Sequence, residues 1–526
     1  MADTYRSLRE STTPRRRTPT SSSSSSLPAA SPATRHNTPL QTTPLTSSSR
    51  TTVCVVVLGD VGRSPRMQYH CASLATLANT DVALVGLRGE RCFADVENHP
   101  NITQHLLDIP FSKAPRAFWA LTAPLKVAYQ ICALFYTLLC VVRRPRAFLV
   151  QNPPAIPTLA VVLCVARLRR ARVIVDWHNF GFSILALSLG ARHPLVYFSE
   201  VYERVLSRAA DANLCVTAAM RQWLAAHWRV RATVLYDRPP AVFEPTPLIA
   251  RHALWSRLAP SLPHVDHFVR SRGAPIDSKR SPSPSVSTTA AGNESPRDRK
   301  IRSSIATTAS VRRTIQTEMS TTDGGLIKLL PERPAIIVSS TSWTADEDFN
   351  MFIDALLLLD AAASTRGLRG DALPNFLALV TGKGPLRGAF EARVASLPWR
   401  RVTIRTLWLE QGDYPLLLGS ADAGVSLHAS SSGLDLPMKV VDMHGAGLPV
   451  LALNFAALPE LVRHEDNGLV FKNAQQLAEQ LEGLFAGFPL ADPSKSRLSR
   501  FRARVAETSH LRWSENWTKF AAPLFN

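Results

Sequence analysis

Two doubly wound α/β domains facing a cleft are predicted for this chain, and three observations predict them. Short apolar, β-branched runs alternate with helical stretches from Val53 to Tyr236. The rhythm stops at Asp237-Arg238-Pro239-Pro240 and resumes at Ile336 for a second set of similar extent. With 526 residues and 45% apolar content, the chain can build more than one core. Strands buried on both faces of a parallel sheet read as continuous apolar runs, and helices between them supply the crossovers.

Residues 1–50 hold seven Arg against Asp3 and Glu10 and are rich in Ser, Thr and Pro, so they read as a disordered tail. Val53–Leu58 is the first strand; the turn GDVGRSPRM and a helix from Gln68 to Ala78 follow. Val82–Leu87, Phe148–Val150, Val173–Val175, Leu214–Val216 and Thr233–Tyr236 complete a domain over 51–240. Residues 241–330 form a linker. Within it, 261–320 carries ten Lys/Arg against five acids with little apolar content and reads as a disordered insert. A second domain over 331–490 has strands at Ile336–Ser339, Phe376–Val380, Val402–Ile404, Gly424–Leu427, Val450–Leu453 and Leu469–Phe471. Its helices are expected near 346–362, 386–396, 436–444 and 474–486. The closing segment 491–526 is basic, then aromatic (Phe501, Trp513, Trp517, Phe520), as for a helix that packs back on the first domain.

The net charge of +19 matters less than its placement. Between Ile109 and Val175 there is no acid, and ten Lys/Arg flank the apolar runs Ala123–Val142 and Ala155–Leu168. The first run is long enough to span a bilayer. The preferred reading is a helix embedded in the membrane interface and drawn to an anionic leaflet, over a buried core helix or a true span. No apolar run precedes Val53, so no signal peptide or N-terminal anchor is expected. Seven cysteines lie in apolar settings without CxxC spacing, which argues against a zinc or redox motif. The basic tails lack interleaved aromatics, so nucleic acid is not an expected partner.

In tandem domains of this kind, the loops at the carboxyl ends of the strands meet at the cleft. The loop after Leu58 offers Gly59, Asp60, Gly62, Arg63 and Arg66, with the arginines suited to a diphosphate. It is not a GxGxxG fingerprint. Val173–Val175 runs into Asp176, Trp177, His178 and Asn179. Here Asp176 is placed to orient His178 as a proton acceptor. In the second domain, Gly382, Lys383 and Gly384 open a helix, and Ser430, Ser431, Ser432 and Gly433 form a small-residue turn. The following helix is expected to carry Asp435, Lys439 and Asp442 on one face at i, i+4 and i+7. Lysines and free backbone N–H groups suit phosphates, and carboxylates suit sugar hydroxyls; together they suit a nucleotide-sugar.

The runs GDVGRSPRMQYH, QNPPAIPT, VDWHNFGFSIL, SSTSWTADEDF, VTGKGPLR, YPLLLGSADAGVSLHASSSGLDLPMKVVDM and LPELVRHEDNGLVF resemble the eukaryotic chitobiosyldiphosphodolichol β-mannosyltransferases, glycosyltransferase family 33. The resemblance covers about 53–245 and 331–520. It implies a GT-B fold and transfer of mannose from GDP-mannose to GlcNAc2-PP-dolichol, with inversion to a β1,4 link, at the cytosolic face of the endoplasmic reticulum. It also implies contact with other glycosyltransferases of the same pathway. By analogy with retaining relatives, Lys383 and Lys439 face the donor diphosphate, Asp442 meets the ribose, and His178 lies near the transferred sugar. The other acid of that pattern falls at Leu434, with Asp435 one residue off. Relatives commonly begin with an apolar anchor; here attachment falls to 109–175.

Inversion needs a general base and positive charge for the leaving diphosphate. Asp60, Asp176 and His178 are the base candidates, with the Asp176/His178 pair favoured. Lys383, Lys439 and loop N–H groups serve the diphosphate without a bound metal, a divalent cation entering at most as a stimulant. Arg63 or Arg66 meets the acceptor diphosphate. Three rivals stay open: another nucleotide-sugar such as UDP-GlcNAc, a silent scaffold subunit, and a nucleic-acid binder resting on the tails.

Overall fold

A computed structural model describes residues 50–108, 119–262, 265, 311–320, 325–344, 347–365, 372–410, 412–489 and 496–525. All but the last residue of the tail expected over 1–50, and most of the expected insert, lie outside the described residues. So do Lys113 and Arg116 of the acid-free stretch.

The first sheet comprises β1 (Thr51–Asp60), β2 (Thr80–Leu87), β3 (Ile102–Leu107), β4 (Ala147–Asn152), β5 (Arg172–Trp177), β6 (Ala212–Cys215) and β7 (Thr233–Val234). All seven are parallel, in the order β3-β2-β1-β4-β5-β6-β7. The β-branched run of β1 is buried from Thr52 to Leu58 because helices cover both faces. Apolar side chains sort to two sides of the sheet: Cys54, Val56, Phe148 and Val175 to one core, Val53, Val55, Leu149 and Ile174 to the other. Strand β3 went unpredicted. It is a sheet edge whose polar and apolar residues are all partly exposed, so no continuous apolar run marks it.

Three short antiparallel strands come next: β8 (Val311–Arg313), β9 (Thr317–Ser320) and β10 (Ile327–Leu329). They correct the reading of 261–320 as wholly disordered. Polar contacts, not apolar content, hold this part: Trp255 Nε1 donates to Gln316 Oε1 at 2.7 Å, and Gln316 Nε2 to the Ser420 carbonyl at 2.9 Å. The helix Leu248–Leu258 places Leu254 and Trp255 in the second domain's core.

The second sheet has β11 (Ala335–Ser340), β12 (Phe376–Thr381), β13 (Val402–Leu407), β14 (Ala423–Ser426), β15 (Val450–Leu453) and β16 (Gly468–Phe471), parallel in the order β13-β12-β11-β14-β15-β16. In both sheets the strand order reverses beside the first strand, at β1/β4 and at β11/β14, which is where such sheets open a crevice. The helix expected at 436–444 is Met438–Gly445, with Pro437 as its N-cap. Asp435 therefore sits in the loop, off the helical face that holds Lys439 and Asp442.

The chain ends by crossing between the domains. Helix Arg497–Ser509 sets Leu498 and Phe501 into the second domain's core, and helix Trp513–Phe520 sets Trp513 and Trp517 into the first. Helix Trp119–Tyr136 behaves differently. Over Pro124–Val141 it is long and apolar enough to cross a membrane, yet only 17% of that stretch is buried. Leu134 and Leu138 anchor it to the first core.

Candidate functional site

The carboxyl end of β5 is organised around one fully buried carboxylate. Asp176 takes both prongs of the Arg66 guanidinium, Nε and Nη2, at 2.8 Å each. His70 Nε2 lies 3.1 Å and His178 Nε2 2.8 Å from Asp176 Oδ2. Burial alone would raise this acid, but Arg66 and His178 outweigh it and hold it well below the carboxylate range. Arg66 also binds Asp237 at 2.7 Å and the Leu235 carbonyl at 3.0 Å. Trp517 Nε1 donates to His70 Nδ1 at 2.9 Å, so the His70 proton sits on Nε2 and goes to Asp176. Burial keeps His70 neutral.

His178 is the one member of this group that reaches the cleft, with its side chain 21% exposed. Its Nε2–H is committed to Asp176, which leaves Nδ1 as the nitrogen able to accept. Beneath it, Trp177, Phe180, Phe182, Trp223 and Trp228 form an aromatic cluster that fixes the loop. Glu203 accepts from the N–H of Gly181 at 2.8 Å and from Asn152 Nδ2 at 3.2 Å, closing the loop's far end. Burial pushes this carboxyl up to about 7.

Asp176 is sealed and fully engaged, a geometry that fits its expected role of orienting His178. Two other sequence expectations are corrected here. Asp60 spends its oxygens on the N–H groups of Gly62 at 3.0 Å and Glu90 at 3.0 and 3.1 Å, which makes it an organiser of its loop rather than a base. Arg66 is 1% exposed and saturated, which removes it as an acceptor clamp. Arg63 remains exposed on the same loop. Gly59 has open space around it, whereas a Cβ on Gly62 would meet the Glu90 carbonyl oxygen at 2.2 Å.

In the second domain, the loops after β11 and β14 meet at the strand reversal. Glu347 and His428 form an antiparallel bridge, and the Glu347 carboxylate holds Lys439 Nζ on one oxygen and Thr341 Oγ1 on the other. Thr341 Oγ1 in turn receives the Trp343 N–H at 2.7 Å. Gly382 has φ +137°, and a Cβ there would lie 1.8 Å from the Thr341 carbonyl oxygen; at Gly384 it would lie 1.9 Å from that of Ser342. Only glycine lets these two loops stack. Lys383 is exposed, its Nζ 3.7 Å above the Trp408 ring. Asp435 takes His428 Nε2 at 3.2 Å and the Ser430 hydroxyl. Burial, with the Asp237 charge adding, pushes the Asp442 carboxyl up to about 8.

The small-residue turn joins the two halves. Ser431 Oγ lies 3.2 Å from Asn179 Nδ2 and 3.0 Å from Ser183 Oγ. Ser432 Oγ accepts the Leu434 N–H at 3.2 Å, and Gly433, at φ +72°, donates to Ser430 Oγ at 2.8 Å. Leu434 is buried among first-domain side chains, and its carbonyl accepts from Thr217 Oγ1 at 2.6 Å. Glu460 spans the same junction, taking the N–H groups of Ala218 and Ala219 at 2.8 Å each and the Tyr236 hydroxyl at 2.8 Å. Within this turn, Ser431 and Leu434 reach the first domain, whereas Ser430, Ser432 and Gly433 bond within the second.

Sequence reasoning missed Glu347, His70, Glu203 and Glu460. Glu347 stands in the quoted run SSTSWTADEDF, but its partner Lys439 is 92 residues away, so no local spacing flags the pair.

Residues 337–486 match the family described as glycosyl transferases group 1. The chain is 40% identical over 481 residues to the chitobiosyldiphosphodolichol beta-mannosyltransferase of Homo sapiens, covering 90% of this chain and 92% of the relative. It is 35% identical over 458 residues to the protein of that name from Dictyostelium discoideum, covering 82% and 84%. It is also 40% identical over 483 residues to the UDP-glycosyltransferase TURAN of Arabidopsis thaliana, covering 90% and 96%. Among solved structures, the sucrose-phosphate synthase of Thermosynechococcus elongatus aligns at a TM-score of 0.54 and 14% identity, covering 89% of this chain and 97% of that one. Anabaena HepE in complex with UDP-glucose aligns at 0.52 and 14%, covering 90% and 99%. At that identity the likeness is one of fold: two Rossmann-like domains in the GT-B arrangement.

Proposed function

From the premise that this glycosyltransferase belongs to the chitobiosyldiphosphodolichol beta-mannosyltransferase family, we propose that it transfers mannose from GDP-mannose to GlcNAc2-PP-dolichol with inversion. The observation that carries the chemistry is the His178–Asp176 pair, in which Asp176 engages Nε2 of a partly exposed His178 and leaves Nδ1 to accept a proton.

In the proposed step, the acceptor 4-hydroxyl gives its proton to His178 Nδ1 as its oxygen bonds to the anomeric carbon. The bond from that carbon to the GDP oxygen breaks, and its electron pair leaves with the β-phosphate. Asp176 stabilises the imidazolium that forms. Lys383, Lys439 and the N-terminus of Met438–Gly445 receive the developing charge. Lys439 is held by Glu347 and is delivered to the phosphates from that ion pair. Asp442 faces the nucleoside, and Arg63 meets the acceptor diphosphate. Gly382 and Gly384 keep the donor loops stacked.

The enzyme works at the cytosolic leaflet of the endoplasmic reticulum, where a dolichol-linked acceptor presents its sugar to soluble GDP-mannose. Relatives carry both mannosyltransferase and UDP-glycosyltransferase names, so the donor is the point to test. Purified full chain, incubated with radiolabelled GDP-mannose and a GlcNAc2-PP-isoprenoid, is expected to yield a labelled lipid trisaccharide that β-mannosidase cleaves. Transfer from UDP-glucose or UDP-GlcNAc instead, or an α-linked product, overturns the reading.

A further inference from the structure

The first domain exposes far more hydrocarbon than helix Trp119–Tyr136 alone accounts for. On that helix Leu125, Val127, Tyr129, Ile131 and Tyr136 are exposed. Two further helices, Gly181–Leu189 and Pro194–Ser207, expose Ile184, Leu187 and Leu189, and Leu195, Tyr197, Phe198 and Val205. They are not isolated from the first. Helix Trp119–Tyr136 packs on Thr158–Arg169, which packs on Pro194–Ser207, which packs on Gly181–Leu189. The four helices are thus contiguous, and monomeric proteins rarely leave so many neighbouring apolar side chains in water.

Charge identifies what covers it. From Trp119 to Arg208 there are eleven Lys/Arg and three acids: Asp176, Glu200 and Glu203. Asp176 and Glu203 are buried, which leaves Glu200 against the whole cationic set. Among those cations, Arg143, Arg144, Arg167, Arg170, Arg192 and Arg208 are exposed. An apolar plane edged by arginines fits an anionic lipid leaflet: the side chains enter the acyl boundary and the guanidiniums meet phosphate headgroups.

We infer that helices Trp119–Tyr136, Gly181–Leu189 and Pro194–Ser207 together form a monotopic docking face for an anionic bilayer leaflet, with Gly181–Leu189 setting the depth of the catalytic loop. Gly181 follows His178 by three residues, and Glu203 ties the start of that helix to Pro194–Ser207 through the Gly181 N–H. The face thus fixes His178 at a set height above the lipid surface, where a lipid-linked diphosphate emerges. This deepens the acceptor half of the proposed function and rests on it for the identity of that lipid alone.

The test is vesicle flotation, which reads bilayer binding without turnover. Full-length protein is mixed with vesicles of phosphatidylcholine, with or without phosphatidylserine. The wild type is expected to float with the anionic vesicles and more weakly with the neutral ones. The variant Leu187→Glu/Tyr197→Glu/Phe198→Glu is expected to lose binding about tenfold or more, while keeping its melting temperature and its turnover of a short-tailed, water-soluble acceptor. Arg167→Glu/Arg170→Glu, which leaves the apolar side chains in place, is expected to lose only the preference for anionic vesicles. Flotation of the triple variant equal to wild type overturns the proposal, because helix Trp119–Tyr136 then holds the membrane alone. A wild type that fails to float and sediments as a dimer, with the triple variant a monomer, also overturns it and makes the face a contact between protein chains.

Discussion

At the residue scale, Asp176 and His178 share a hydrogen bond yet differ in what their loss does. His178→Ala removes a ring about one-fifth exposed and leaves the Arg66–Asp176–His70 hub in place. Turnover is expected to fall by about 10²–10⁴-fold with little change in melting temperature. Asp176→Asn leaves the buried Arg66 charge with Asp237 as its one carboxylate, and a loss of about 3 kcal/mol in stability, the low end for a broken buried pair, is expected from urea unfolding. Asp442 sets a pH dependence. Its folded carboxyl titrates near about 8, above the unfolded value near 3.8. Between those values the folded state holds the extra proton, so stability falls as pH rises through that window and levels off above it. Glu203, raised to about 7, adds a slope of the same sign. Asp442→Asn is expected to flatten the upper part of the curve, measured as unfolding free energy at a series of pH values. The candidate residue types were legible in the sequence, since Lys383 and His178 stand just after strand ends and Lys439 and Asp442 on the helix that follows β14. Their states were not: Arg66 and Arg63 read alike in the chain, and only folding buries one against Asp176 and leaves the other in water.

At the element scale, the stacking of the two donor-side loops is the most exacting feature. Gly382→Ala would place a methyl group 1.8 Å from a carbonyl oxygen at a backbone angle of +137°, so the loops must part. The expected result is a KM for the sugar nucleotide raised about tenfold or more, at a cost to stability of about 1–3 kcal/mol. Initial-rate kinetics separate this from a loss confined to kcat. Strands were legible where burial is two-sided, as in β1, β11 and β12, because a short unbroken apolar run between turn residues admits few other readings. Edge strand β3 and the polar-held β8–β10 sheet left no such trace. The helix Met438–Gly445 begins two residues later than its pattern suggests, because Leu436 precedes a proline, which disfavours helical backbone there, and Pro437 is extended and serves as the cap.

At the scale of the whole molecule, the carboxyl terminus governs the active centre from a distance in sequence. Trp517 is 447 residues from His70, yet its indole N–H fixes the tautomer that supports Asp176. Trp517→Phe keeps most of the packing and removes that donor. A drop in kcat with KM unchanged is expected, together with a shifted pH–rate profile, which packing loss alone would not produce. The two-domain plan was legible from the repeated alternation on either side of Asp237–Pro240, since each half supplies enough apolar strands for its own sheet. The junction was not legible, because Leu434 reads as an ordinary apolar residue of a second-domain loop. Its side chain is a peg set in the opposite half. Any hinge motion that parts the halves must draw this hydrocarbon into water, at about 1.5–3 kcal/mol. The contact between the halves is accordingly self-latching.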